Sequence, residues 1–176
     1  MEKRKFTISV FSEDRIGLLH SITIIFTRRK MSIESINSSE SERKGIYRYT
    51  IVFSADHDTA RNVTKQIDKL IDVLRAFLHE EEQIIHREIA LYKVATSSFY
   101  NGNEVEQLLR KHSANIIRIE QDYLVIEKTG WKNETQALLQ DLEPYKILEF
   151  ARSARVMVTK RWKRLHKNVL ELEQEH

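Results

Sequence analysis

The sequence contains no cysteine, one proline and only four glycines among its 176 residues. Without cysteine, the chain can form neither a disulfide framework nor a thiolate metal site, and it has no thiol nucleophile. The scarcity of proline and glycine, together with a hydrophobic fraction of 41%, excludes the disordered and collagen-like classes. We therefore expect an ordered protein with its own hydrophobic core, and the cytoplasm is its default compartment.

Long apolar runs and strong net charge are missing as well. No stretch approaches the roughly 18 apolar residues that a membrane-spanning helix needs, and the charged N-terminal residues pass directly into a strand-like alternation. We predict neither a signal peptide nor a membrane anchor. The net charge of +3 is small compared with the concentrated basic surface that nucleic-acid binding requires, so the charge does not indicate a nucleic-acid partner.

No pattern typical of a catalytic site is recognisable. The seven histidines never occur at the i, i+4 spacing that places two metal ligands on one helix face. Glycine-rich nucleotide loops and nucleophile elbows are missing too. We interpret Asp56-His57-Asp58 as the beginning of a helix and Glu80 to Glu82 as a solvated connection. The sequence thus predicts a chain that is not itself an enzyme and that holds no metal or cofactor.

The first half alternates between the periods of strands and helices. Phe6, Ile8 and Val10 share one face of a strand with one buried side, and Gly17 precedes a helix in 18–30. Two strands joined by a glycine-containing hairpin, a helix that begins at Asp56 or Asp58, and a fourth strand follow, at 31–40, 46–55, 56–71 and 73–80. This βαββαβ order is that of a ferredoxin-like unit.

The second half repeats the same order of elements. Its strand, helix, strand, strand, helix and strand are predicted at 87–96, 101–112, 114–121, 123–130, 131–142 and 146–160. The fold class is therefore α+β, with two tandem ferredoxin-like units at 1–79 and 80–160 and an added helix at 161–176. Each unit buries only a modest core, so we expect the open sheet faces to be covered by the sister unit or by a second chain.

One RNA-binding alternative comes from the third strand. RNA-recognition motifs share this topology and carry an aromatic signature on that strand. Here Lys44, Gly45 and Phe53 fit the signature, whereas Tyr47 and Arg48 do not. A hairpin glycine followed by an ordinary strand explains the segment equally well.

Four segments resemble the acetolactate synthase small-subunit family, which is also called the acetohydroxyacid synthase regulatory subunit. They are DRIGLLHSITIIFTRRKMSIESIN, QIDKLIDVLRAF, HREIALYKV and ILEFARSARVMV, at 14–37, 66–77, 86–94 and 147–158. They follow the order and spacing of that family and span nearly the whole chain. The first of them resembles the family's ACT domain.

The resemblance implies a regulatory subunit whose N-terminal ACT domain pairs with that of a second copy. A branched-chain amino acid, usually valine, would bind between the two ACT domains, and the C-terminal half would be a second ACT-like domain. Thiamine diphosphate, Mg and FAD would belong to a separate catalytic subunit, which this chain would activate and place under feedback control in isoleucine, leucine and valine biosynthesis. A free-standing ACT-type sensor of another enzyme is the alternative.

The resemblance also assigns five effector-binding residues. Backbone amides around Ile16, Gly17 and Leu18 would accept the effector carboxylate, because a glycine that opens a helix exposes unpaired N–H groups. Asp14 and Ser32 complete the set, and at both positions the family often has asparagine. A carboxylate at Asp14 would attract the ammonium of an amino acid and repel its carboxylate, so the identity of the effector is open.

Overall fold

A computed structural model of the chain describes residues 3–99 and 103–160. The described residues form two compact units, one made of 3–85 with 157–160 and the other of 86–99 with 103–156. The helix predicted at 161–176 lies outside the described residues. The two ferredoxin-like units predicted from the sequence are confirmed.

The first unit is a four-stranded sheet of order β2-β3-β1-β4 with antiparallel neighbours. Its elements in chain order are β1 (Arg4–Glu13), α1 (Leu18–Arg28), β2 (Ile33–Glu40), β3 (Ile46–Ala55), α2 (His57–Ile67) and β4 (Val73–Glu80). This is the strand order that a βαββαβ unit produces, because each helix connects strands that are not neighbours in the sheet.

One core fills the space between the sheet and the two helices. Phe6, Ile8 and Val10 of β1 face it, as their alternation predicted, and Ile22 and Phe26 of α1 pack against them. The Phe26 and Phe53 rings meet edge to face with centroids 5.2 Å apart, an arrangement that aromatic quadrupoles favour. Helix α1 is therefore held by its buried apolar face.

The second helix of this unit begins at a side-chain cap. The amide of Thr59 donates to a carboxylate oxygen of Asp56 at 2.9 Å, which resolves the choice between Asp56 and Asp58. Hydrogen bonds from the backbone and the side chain of Thr59 lower the pKa of the Asp56 carboxyl below its ordinary value. The Asp56 carboxylate is thus part of the helix end and has no catalytic geometry.

The other side of β1 differs from expectation. The alternation predicted one buried side, yet the alternate residues Thr7 and Ser9 are also fully buried. Arg48, from the neighbouring strand β3, donates to the backbone oxygen of Met157 at 2.9 Å. Met157 therefore lies against this sheet although more than a hundred residues separate it from Arg48. The alternation of apolar residues within one strand cannot predict such a distant contact.

The second unit repeats the topology, in the order β6-β7-β5-β8 with β9 also paired to β5. The elements of this sheet and its helices are β5 (Ile84–Ala95), α3 (Asn103–His112), β6 (Asn115–Ile119), β7 (Tyr123–Gly130), α4 (Lys132–Leu142), β8 (Ile147–Arg152) and β9 (Val156–Thr159). The first two residues of β5 and the last three of β9 belong to the first unit. Short 3-10 turns at Glu81–Gln83 and Thr96–Phe99 precede and follow β5. Tyr92 is fully buried in the core, and its hydroxyl donates to the backbone oxygen of Thr135 at 2.6 Å.

The single strand predicted at 146–160 is wrong, because the segment forms two strands. Between β8 and β9, the Ser153 hydroxyl accepts from the amide of Ile89 at 2.9 Å and donates to the backbone oxygen of Ala154. A side chain that binds backbone groups locally competes with the ladder of a continuous strand. The break therefore lies at the serine of the predicted segment.

Candidate functional site

The loop before α1 ends in an uncapped helix N-terminus. Gly17 is the N-cap residue and has φ 91°, the left-handed conformation that glycine adopts without steric cost. No side chain caps the helix, and no acidic residue lies in its first turn. A Cβ at Gly17 would meet no atom within 4 Å. The exposed amides and the positive end of the helix dipole suit a carboxylate group.

The structure brings four of the five predicted effector residues together in this loop. Asp14 and Ile16 are exposed, whereas the side chain of Leu18 is buried in the core and offers only its backbone amide. That amide points to the backbone oxygen of Arg15 at a long 3.4 Å. The amide of Asp14 donates to the backbone oxygen of Gly45 at 3.3 Å, so the β2–β3 hairpin supports the loop.

The fifth predicted residue, Ser32, lies at the other end of α1. It follows the C-terminus of the helix and directly precedes β2. Helix α1 has 11 residues, which at about 1.5 Å each separate its two ends by roughly 16 Å. Within one chain, Ser32 and Gly17 therefore cannot contact the same amino acid.

Two residues at this loop were not predicted from the sequence. Arg15 pairs with Glu13 at 3.0 Å and lies 3.9 Å from Asp72, so a cation stands beside the helix N-terminus. The Ser12 hydroxyl is fully buried and has no hydrogen-bond partner among the described residues. Ser12 continues the period of Phe6, Ile8 and Val10, and that period is the signal that could have identified it as an inward-facing polar group.

No other cluster of the described residues offers a catalytic or metal centre. Within 3–99 and 103–160, no group of three or more His, Asp or Glu side chains could hold a metal ion. Glu81 and Glu82 lie in the exposed 3-10 turn before β5. No helix in the described part of the chain is long and apolar enough to cross a membrane.

The RNA-binding alternative fails on the burial of its aromatic residues. Phe53 is completely buried in the core of the first unit, and Tyr49 is only 8% exposed. A base can stack only on a ring that solvent reaches. The Phe53 and Tyr49 rings thus stabilise the fold and offer no surface on which a base could stack.

Two family models match the chain, one in each half. The model described as an AHAS small subunit-like ACT domain matches residues 8–75. The model described as the small subunit of acetolactate synthase matches residues 87–161. The first match contains the loop before α1, and the second begins where the second unit begins.

Individual proteins show the same similarity over most of their length. The acetolactate synthase small subunit of Mycolicibacterium smegmatis is 36% identical over 154 residues, which is 88% of this chain and 90% of that protein. The small subunit of Bacillus subtilis is 34% identical over 86% of this chain and 87% of its own. The crystal structure of the acetolactate synthase small subunit from Thermotoga maritima superposes with a TM-score of 0.80 at 28% identity, covering 91% and 99% of the two chains.

Proposed function

We propose that this chain, which belongs to the acetolactate synthase small-subunit family, activates a separate catalytic subunit and places it under feedback control by a branched-chain amino acid. The observation that carries the proposal is the pair of family matches, which cover both halves of the chain in their expected order. As a small subunit, the chain is regulatory, and the reaction takes place in the partner. Thiamine diphosphate, Mg and FAD are assigned to that partner.

The effector site of the proposal is the loop before α1. The carboxylate of an amino acid would accept hydrogen bonds from the backbone amides at Gly17 and its neighbours, since no side chain caps the helix and the Leu18 amide makes only a long 3.4 Å contact with the backbone oxygen of Arg15. Arg15 of the loop has its guanidinium paired with Glu13, so the positive end of the helix supplies the charge for the carboxylate, while Asp14 is exposed and available to the ammonium group. The site thus presents complementary charge to both ends of an amino-acid backbone.

A complete site of this kind requires two copies of the chain. Ser32 and Gly17 flank opposite ends of α1, so they can bind one ligand only if each comes from a different subunit. A twofold axis perpendicular to α1 sets the helix antiparallel to its copy and brings each Gly17 loop to the other chain's Ser32. We therefore assign the homodimer contact to the first unit, with two equivalent effector sites.

Activation is tested with the catalytic subunit from the same cell. Acetolactate formation is measured with and without a saturating amount of this chain, at fixed pyruvate, thiamine diphosphate, Mg and FAD. The chain alone should form no product, and its addition should raise the rate of the catalytic subunit. No complex and no rise in rate would overturn the proposal in favour of a free-standing sensor.

The effector site is tested by calorimetry against the branched-chain amino acids. Gly17→Trp should abolish binding, because the side chain fills the open space over the helix amides. Gly17→Ala is the matched control, because it adds the same strain at φ 91° while its Cβ meets no atom within 4 Å. Equal losses in both variants, or none in Gly17→Trp, would place the site elsewhere.

The choice of effector is tested at the two residues that differ from the family pattern. Asp14→Asn removes the charge that repels a carboxylate, and Ser32→Asn replaces a short hydroxyl side chain with a longer one that ends in an amide donor. The double variant should bind valine more tightly than the native chain does. Unchanged affinity for valine would show that these two positions do not set the preference.

A further inference from the structure

The last described residues, 157–160, belong to the first unit although the second unit precedes them in the chain. We call these four residues the return segment. The amide of Lys160 donates to the backbone oxygen of Gln83 at 2.9 Å, and Met157 is buried. Since the chain enters the second unit after Ile85 and leaves it before Met157, the return segment is one of two covalent connections to that unit.

Arg48 of β3 binds the return segment through its guanidinium group. Its Nη2 donates to the backbone oxygen of Met157 at 2.9 Å and lies 3.3 Å from the sulfur of the same residue. Burial lowers the pKa of this guanidinium, and the negative charge of Glu42 offsets the effect only in part. Nε is buried without a hydrogen-bond partner among the described residues. The hydrogen bond to Met157 therefore fixes the return segment at a cost in stability, because a desolvated charge is expensive.

Arg48 also lies close to both supports of the effector loop, 14–17. It follows Gly45 by three residues, or about 10 Å of strand, and the backbone oxygen of Gly45 accepts from the amide of Asp14. Across the β1–β3 ladder Arg48 faces Phe11, which precedes Asp14 by three residues. The guanidinium carbon lies 5.6 Å from the centroid of the Phe11 ring. Both strands that support the loop thus contain or contact Arg48.

We propose that Arg48 is a positioning residue that couples the effector loop to the return segment. An amino acid bound at the amides of Gly17 holds the loop in one conformation, and with it the adjoining ends of β1 and β3. The guanidinium that bridges these strands then keeps its hydrogen bond to Met157 for a larger fraction of the time. The inference rests on the effector site proposed above, and it adds a path from that site to the chain that leaves the second unit.

Coupling of this kind is reciprocal. If the amino acid strengthens the hold on Met157 by some factor, loss of that hold weakens the binding of the amino acid by the same factor. A side chain that serves packing alone produces no such equality. Two independent measurements must therefore agree.

The hold is measured by amide hydrogen exchange in the full chain. The probe is an equimolar mixture of valine, leucine and isoleucine at saturation, and calorimetry measures its binding. In the native chain, the amides of the return segment should exchange about ten-fold more slowly with the probe than without it.

The variant Arg48→Met removes a buried charge, which folds commonly tolerate, and it cannot donate to the Met157 oxygen. The slowing should disappear in this variant, and the probe should bind about ten-fold more weakly. Arg48→Lys restores one donor and should recover part of both effects.

Arg75→Met is the matched control. Arg75 is exposed, faces Phe11 from the other neighbouring strand, β4, and lies 3.6 Å from Asp68. Its substitution should leave the slowing and the affinity at their native values. Equal losses in Arg75→Met and Arg48→Met, or native slowing or native affinity in Arg48→Met, would overturn the inference.

The native chain separates this inference from the effector site on which it rests. Calorimetric binding of the probe without slower exchange in the return segment would overturn the coupling and leave the effector site standing. No calorimetric binding of the probe would overturn the effector site itself, and the coupling with it.

Discussion

The two units share a strand order, but the outer sides of their sheets are opposite in character. In the first unit this side is buried although it carries polar side chains next to apolar ones: Thr7 and Ser9 are fully buried, and His79 is only 7% exposed. In the second unit it carries apolar side chains such as Ile89 and Leu91 that remain exposed. Among the described residues, the same topology therefore buries this side of the sheet in one unit and leaves it exposed in the other.

The buried polar side of the first unit is incompletely satisfied. The Ser9 hydroxyl and Nε2 of His79 have no hydrogen-bond partner among the described residues. Burial, with a smaller contribution from the positive charge of Arg48, lowers the pKa of His79 to about 4. Buried polar groups without partners lower the free energy of unfolding. The comparison teaches that ferredoxin-like topology does not by itself decide what the open side of its sheet contacts.

The largest expected effect is the loss of a core ring from one unit only. Phe53→Ala should destabilise the first unit by about 3–5 kcal/mol, because it removes a fully buried ring that packs on Phe26 and Phe6. Trp131 reports on the second unit if Trp162 is first replaced by Phe. In urea, the far-UV circular dichroism of the variant should show two unfolding transitions, while the urea midpoint of the Trp131 fluorescence stays at its native value. If the Trp131 midpoint falls as far as that of the first unit, the two units unfold as one cooperative structure.

The next effect is the pH dependence caused by His79. Its pKa falls from the ordinary 6.5 in the unfolded chain to about 4 in the folded protein, so the unfolded state binds more protons between these values. The free energy of unfolding should therefore fall as the pH drops from 6.5 towards 4, by roughly 2–3 kcal/mol. His79→Gln should flatten this part of the profile, whereas His20→Gln, at an exposed position, should leave it unchanged.

A smaller effect of opposite sign is expected at Ser9. Ser9→Ala removes a buried hydroxyl that has no partner in the described part of the chain, and the substitution should stabilise the first unit by about 1 kcal/mol. The measurement is the urea midpoint at constant m-value. A lower urea midpoint would mean that the Ser9 hydroxyl has a hydrogen-bond partner. The buried polar groups of this sheet would then destabilise the unit less than inferred.

The smallest effect is expected on the exposed side of the second unit. Leu91→Ser should change the free energy of unfolding by less than about 0.5 kcal/mol, since surface substitutions rarely do more. Thermal unfolding at a low protein concentration, where the chain is least associated, measures this. A loss of several kcal/mol would show that Leu91 is part of a core and would remove the contrast between the two sheets.

The sequence predicted the elements that bury one regular face. The alternation of Phe6, Ile8 and Val10 and the helical spacing of Leu18, Ile22 and Phe26 placed β1 and α1 correctly. It also predicted that Gly17 opens α1, because a glycine between a strand and a helix pattern marks a tight turn. It missed the break at Ser153, since a hydroxyl that competes for backbone hydrogen bonds leaves the apolar period unchanged.

The sequence by itself determined the two βαββαβ units and the glycine that opens α1, because period and turn chemistry are local properties. Only the tertiary structure decided that Thr7 and Ser9 are buried, and only it brought Met157, far along the sequence, against Arg48 of the same sheet. It also decided that Ser32 lies a full helix length from Gly17, although both belong to one contiguous motif. Residues close in sequence are thus separated by a rigid helix, and residues distant in sequence share a face, because packing acts through space and not along the chain.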